Sequence, residues 1–183
     1  LMSSVVNGDL DAFEVLVKRH QNRIYRMATQ MLGGEEDAWD VSQEIFIKVY
    51  NARSHYVINA KFTTWLYRIA NNAIIDKIRQ YKRNHQVQSM TDMIQEPEST
   101  DHGSHKSLAL REVSGQMGKA LAALSERQRS MVVLKYYEGC SVKEIAEVFD
   151  CAQGTVKATL FQAIKHLRTG LSGHGIINAE VPT

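Results

Sequence analysis

The chain's 183 residues suffice for one large domain or two small ones, and a hydrophobic content of 44% is ordinary for a soluble globular protein. No apolar run approaches the roughly 20 residues needed to cross a bilayer, and the start lacks the basic-then-apolar layout of a signal peptide, so a cytoplasmic protein with no membrane insertion of its own is expected. The net charge of +2 hides a sorted pattern: an acidic run from Glu35 to Glu44, a basic run from Lys61 to Arg83, and a segment from Cys151 to Leu171 whose charged residues are Lys157, Lys165 and Arg168. Two basic surfaces and one acidic surface point to two nucleic-acid contacts and a separate protein contact.

In chain order, the first predicted helix covers about Asp9 to Met31, where Phe13, Leu16, Val17, Ile24, Met27, Ala28 and Met31 hold the 3.6-residue period and Gly33-Gly34 ends it. A second runs from about Glu35 to Ala52 with Ala38, Val41, Ile45 and Val49 inward. Its first-turn acids complement the positive end of their own helix dipole. The third is the most informative: Phe62 to Arg83 contains neither proline nor glycine. Phe62, Leu66, Ile69, Ala73 and Ile74 form its core stripe, while Thr64, Arg68, Asn71, Ile75, Arg79 and Lys82 form a mostly polar, basic one, with Trp65, Tyr67 and Tyr81 interleaved. Cations beside aromatic faces suit a strand whose bases have left the duplex, since phosphates pair with Arg and Lys and bases stack on rings. An amphipathic helix with a solvated basic face accounts for this segment alone equally well.

The only prolines are Pro97 and Pro182, and the stretch from His85 to Lys106 has linker composition. We therefore expect two units, 1–84 and 107–171, joined by a flexible linker 85–106 and followed by a tail 172–183. After the linker, helices are predicted at about Ser107 to Ala123 and Ser125 to Tyr137. Ser125 with Gln128, and Ser141 with Glu144, have capping-box spacing. The helix from Ser141 breaks around Phe149-Asp150-Cys151 and another runs from about Ala152 to Thr169, with Val156, Leu160, Ile164 and Leu167 inward. Short helix, tight turn and an acid-free second helix read as a helix-turn-helix, which makes Gln153, Thr155, Lys157, Ala158, Thr159, Phe161 and Gln162 candidates for DNA contact. An ordinary packed hairpin is the alternative. No segment alternates long enough for a strand, so the fold class is all-α.

Cys140 and Cys151 have no second Cys or His at zinc-ligand spacing and read as reduced and structural; the seven histidines are scattered. With no nucleophile–base pair, metal cluster or phosphate-binding glycine loop, no enzyme, catalytic residue, metal or cofactor is expected.

Gly8-Asp9-Leu10-Asp11-Ala12-Phe13, the segment Asp37 to Phe46 and the segment Phe62 to Asn71 closely resemble the first conserved domain of bacterial extracytoplasmic-function (ECF) RNA polymerase sigma factors. Leu121 to Arg129, Tyr136 to Ala146 and Gly154-Thr155-Val156-Lys157 resemble the second, so the likeness spans nearly the whole chain outside the linker and the end. It implies three partners: core RNA polymerase, promoter DNA both as duplex and as melted non-template strand, and an anti-sigma factor. The resemblance implies that the Glu35–Ala52 helix docks on the polymerase through Asp40, Gln43, Glu44 and Phe46. It implies an extruded base held near Ser54, His55, Tyr56, Asn59 and Lys61, with Arg68, Asn71, Asn72 and Arg79 along the strand path, and an upstream element read by the helix-turn-helix. A one-component regulator using only the helix-turn-helix is the alternative; it leaves the Trp65 helix unexplained.

Two departures from the family pattern stand out. Trp39 replaces a small or acidic residue; it either enlarges the polymerase-facing or inhibitor-facing surface or packs against the neighbouring domain, and the second reading is preferred because a Trp usually buries much of its area. Ala158, Thr159 and Gln162 occupy a helix where the family commonly places Ser, Arg and Arg, which weakens phosphate anchoring. A flexible linker further implies that the domains spread apart or close, and that closure hides both the basic faces and the Glu35–Ala52 helix.

Overall fold

The computed structural model describes residues 1–33, 35–57, 61–89 and 108–172. Among these the elements are α1 (Met2–Val6), α2 (Leu10–Leu32), α3 (Glu35–Asn51), a 3-10 turn (Arg53–His55), α4 (Phe62–Ser89), α5 (Leu108–Ala122), α6 (Glu126–Val132), a π turn (Val133–Tyr137), α7 (Val142–Val148) and α8 (Gln153–Ser172), with no strand among the described residues.

Local chemistry explains the boundaries. The Asp9 carboxylate accepts from the Ala12 amide at 2.9 Å and starts α2, and Gly33, at φ 81°, ends it by donating its N–H to the Thr29 carbonyl. Both expected capping boxes are closed: Ser125 with Gln128 opens α6, and Ser141 with Glu144 opens α7. Asp150 turns the chain between α7 and α8 at φ 47°, a left-handed conformation that Asp tolerates better than most residues.

Three differences from the sequence expectation have physical reasons. Helix α1 was not foreseen because five residues are too few to display a period; it forms by burying Met2 and Val5 against Ala12 and Leu16. The third helix runs to Ser89 rather than Arg83, so helix continues into the first residues of the expected linker, whose remainder lies outside the described residues. The helix from Ser125 widens to a π turn at Val133, where the Glu138 amide reaches back to the Val133 carbonyl at 3.1 Å. Met131, Val132, Val133 and Leu134 are all buried there, four successive apolar residues enclosed on every side.

The core is continuous across both halves of the chain. Ile24, Met27 and Met31 of α2, Val41 and Ile45 of α3, and Leu66 and Ile74 of α4 join Leu121, Met131, Leu134, Ile145 and Val156 in one buried cluster. Each large apolar side chain so enclosed contributes about 1.5–3 kcal/mol over its exposed state. Helix α4 is the common wall, with α2 and α3 on one side and α7 against its polar stripe.

Arg129 ties the two halves through the backbone. Its guanidinium donates to the Leu121 and Ala122 carbonyls at the end of α5, at 2.8 and 2.7 Å, and to the Met31 carbonyl at the end of α2, at 2.8 Å. These carbonyls belong to final helical turns, which lack intrahelical partners. Replacing Arg129 by Met should lower the unfolding free energy by about 2–3 kcal/mol, the cost of stranding part-buried carbonyls with charge-assisted bonds lost. Urea denaturation measures this, and a loss within experimental error would remove the clamp from the account.

Candidate nucleic-acid interface

Part of the polar stripe of α4 is covered in this conformation, while Arg68, Arg79 and Lys82 stay exposed along its edge. Asn71, expected along a strand path, is 4% exposed, and its side-chain oxygen accepts from the Ser130 hydroxyl of α6. Thr64 of the same stripe is also buried. One turn before Asn71, Tyr67 donates its hydroxyl to Glu138 at 3.0 Å; burial, with the Glu138 carboxylate adding to it, pushes the Tyr67 phenol up from its ordinary value.

The cations of α4 meet the C-terminal half at its acids and carbonyls. Lys61 pairs with Glu144, and Arg68 donates to the Glu147 carbonyl. Arg79 and Lys82 straddle one carboxylate, Glu126, at 3.3 and 2.9 Å. The Lys61 ammonium draws the Glu144 carboxyl down to about 2, helped by the Ser141 backbone amide and working against burial. Glu126 is lowered too, chiefly by the hydrogen bond from Lys82 and then by that lysine's charge and Arg79.

Beside these contacts lies a cleft of about 860 Å³ lined by His55, Val57, Lys61, Trp65 and Arg68 from the N-terminal half and by Lys143, Glu144 and Glu147 from α7. Ser54 and His55 are exposed in the 3-10 turn; Tyr56 is half-buried, its ring edge-on to Trp65 with centroids 5.2 Å apart. Asn59 lies outside the described residues. Lys61, Arg68, Asn72 and Arg79 are exposed at the edge of the closed face. The thiol of Cys140 is buried nearby and pushed up to about 11, by burial first and the Glu144 and Glu138 charges second.

The other two surfaces stay open. On α8, Gln153, Thr155, Lys157, Ala158, Phe161 and Gln162 are exposed and Thr159 half-buried, while Val156, Leu160 and Ala163 pack inward. On α3, Asp40, Gln43 and Glu44 are exposed, with Glu44 bridged to Lys48 at 2.8 Å. Phe46 departs from the expectation of a contact residue: at 7% exposed it belongs to the core, and Trp39 and Ile47, 57% and 61% exposed, supply the apolar surface of that helix. Trp39 likewise departs from the expected burial against the other half; it touches Tyr25 edge-on and otherwise faces solvent. Closure therefore does not hide α3, contrary to expectation.

The Sigma-70 region 2 family model matches residues 16–84 and the Sigma-70, region 4 model residues 114–167. The ECF RNA polymerase sigma factor SigW of Bacillus subtilis (strain 168) is 32% identical over 176 residues, covering 93% of this chain and 94% of its own. The chain belongs to the ECF RNA polymerase sigma factors. The ECF RNA polymerase sigma-E factor of Escherichia coli (strain K12) is 32% identical over 175 residues, 89% of this sigma factor and 88% of that one. In fold, the sigma factor resembles CnrH, solved in complex with the cytosolic domain of CnrY, at a TM-score of 0.72 and 23% identity over 94% of this chain and 95% of that one. It also resembles RpoE of Bartonella quintana, solved with the anti-sigma factor NepR, at 0.69 and 24% over 88% and 97%. As a member of this family it is a transcription initiation factor that works with RNA polymerase at promoters.

Sequence reasoning missed Glu126, Ser130, Glu138 and Glu144 as partners of α4. Glu144 already had a local role as a capping residue, and no linear spacing relates these residues to cations about 45 to 85 positions away.

The two lowered carboxylates give the sigma factor a definite acid response. Both carry depressed folded-state values, so their stabilising contribution is complete above the ordinary glutamate value of 4.5 and is lost as the pH falls from there, for Glu144 down to about 2. Urea midpoints at about pH 7 and about pH 3 should differ more for the native chain than for a Glu126→Gln/Glu144→Gln variant. Equal acid losses would put the sensitivity elsewhere.

Proposed function

We propose that this sigma factor recruits core polymerase through α3, reads an upstream promoter element as duplex with α8, and captures the melted non-template strand along α4 and the cleft beside Trp65. The observation that carries the reading is the clustering of Lys61, just before α4, with Arg68, Arg79 and Lys82 on one face of that helix beside Trp65 and Tyr56. Cations spaced along a rod suit a phosphate backbone, and the neighbouring rings suit unstacked bases. Extruding a base costs a few kcal/mol, which stacking and hydrogen bonds in a fitted pocket offset. Ser54, His55, Tyr56, Asn59 and Lys61 surround that pocket in this reading, and Asn71 and Asn72 join the path once α6 withdraws.

Residues 1–84 and 107–171 then act as two functional units joined by 85–106. The polymerase supplies the chemistry of RNA synthesis; the sigma factor has no catalytic role. It works in the cytoplasm; among its described residues no helix is long and apolar enough to cross a membrane. Similarity to folds solved with CnrY and with the anti-sigma factor NepR supports control by an anti-sigma protein.

Arg68→Ala/Arg79→Ala should impair promoter opening, read by permanganate footprinting, while leaving core binding near the native level, because both side chains stand away from the Leu66 and Ile74 core. Trp39→Ala/Ile47→Ala should instead weaken core binding by about tenfold or more, as loss of two exposed apolar anchors does, with promoter opening restored once core polymerase is saturating. Loss of core binding by the arginine pair, or loss of opening by the Trp39/Ile47 pair that persists at saturating core polymerase, would return those residues to the fold.

A further inference from the structure

Trp65 walls the cleft, and behind it Tyr56, Phe62 and Trp65 form a triangle of rings with centroids 5.2 to 6.2 Å apart. The His20 ring of α2 lies 5.2 Å from that of Phe62 and is 8% exposed, which makes it the only buried histidine among the described residues. We propose that His20 is a positioning residue for strand capture: uncharged, it supports Phe62 and, through Phe62, Tyr56 and the Trp65 wall of the cleft; protonated, it withdraws that support. The proposal rests on the assignment of the cleft to the melted strand.

The support comes from one face of α2. Leu16, one turn before His20, is buried in a small apolar cluster with Met2, Val5 and Ala12, and Tyr56, Phe62 and Trp65 pack against that cluster as well. Phe62 opens α4 and is the ring shared by both supports, so a change at His20 reaches Tyr56 and Trp65 through it.

A proton on His20 is disfavoured by its surroundings. Burial first, then the Arg23 and Arg19 charges on its own helix, hold its value below the ordinary 6.5. On α4 it meets the uncharged Phe62, next to Lys61, which pairs with Glu144 of α7; the phenols of Tyr50 on α3 and of Tyr56 after the 3-10 turn belong to the same aromatic cluster. Arg23 also acts on the Tyr67 phenol, which donates to Glu138 after the π turn. An imidazolium would gain cation–π attraction from Phe62, but away from water and beside two like charges. The neutral packing is therefore at full strength above 6.5 and is lost as the pH falls from there.

The test has two readouts. In the first, holoenzyme assembled with core polymerase binds a fluorescent single-stranded oligonucleotide carrying the non-template strand of a promoter that it opens, at about pH 7.5 and about pH 5.5. The native chain should lose about three- to tenfold in affinity across that interval, the loss expected when binding requires a histidine proton to leave. His20→Phe keeps an uncharged ring and should bind as the native chain does at neutral pH, with little acid loss. His20→Ala lacks the ring and should bind weakly at both values. In the second, Trp39→Phe leaves Trp65 as the one tryptophan of the full-length chain. Its emission should change as the pH falls below 6.5 while helical circular dichroism holds constant, and adding His20→Phe should abolish the change.

Equal acid losses in the native and His20→Phe holoenzymes overturn the proposal. So does a Trp65 change that persists without His20, or one that tracks a loss of helix. Failure of the underlying assignment looks different: Arg68→Ala/Arg79→Ala would then leave oligonucleotide affinity at the native level while the Trp65 response stayed tied to His20. That result would remove strand capture from the role of His20.

Discussion

The end of α2 and the end of α5 finish on the same guanidinium. A helix leaves its last carbonyls bare, and in most proteins each terminus finds its own cap or meets water. Here Arg129 answers both, which fixes α6 against two helices at once and sets the angle at which everything after it approaches α4. Ser130, the next residue, is thereby delivered onto Asn71, and the π turn that follows brings Glu138 to Tyr67. Burial lowers the Arg129 value from its ordinary position, yet a guanidinium remains charged at any ordinary pH, so acid does not release this clamp as it releases the carboxylate contacts further along.

Helix α4 therefore has two faces of different character. Its apolar face, with Leu66, Ala70 and Ile74, is committed to α2 and α3 by burial alone. Its polar face satisfies the same physical demands through exchangeable partners: hydroxyl, amide, carboxylate and ammonium groups that water, a second protein segment or a nucleic acid can each supply. A face of this kind is costly to bury without partners and cheap to hand over between them. That distinguishes it from α8, whose Gln153, Thr155, Lys157 and Gln162 are exposed in the same conformation.

Several helices were legible because they carry their own stop and start signals. Asp9, Gly33, Ser125, Ser141 and Gly139 mark boundaries through local hydrogen bonds and backbone preference, and both capping boxes are found where the spacing puts them. The helix-turn-helix was readable for the same reason. The contact between halves was not, because the polar composition of the linker argues for independent units, and because Asn71, Arg68 and Lys82 look identical in sequence whether they face solvent, DNA or a neighbouring helix. Phe46 and Trp39 went astray through their position along the helix: two turns apart on one stripe of α3, they differ in which neighbour covers them, and a helical period fixes the stripe without fixing where along it the cover ends. Asn59 lies outside the described residues, so the pocket it was assigned to is known from its other walls.

Helix α8 presents Ala158 and Gln162 where the family commonly places a cation or a hydroxyl, leaving Lys157 as the charge among its exposed candidate contacts. Each phosphate neutralised by a protein cation releases condensed counterions, and the steepness of binding against ionic strength counts those events at about 0.9 per contact on duplex DNA. If α8 reads the upstream element as proposed, so few such events would make its recognition draw more on groove fit and the exposed ring of Phe161 than on the ion atmosphere. A cell that concentrates its salt under osmotic stress would thus disturb this half of promoter recognition less than it disturbs the cation-rich contacts of α4.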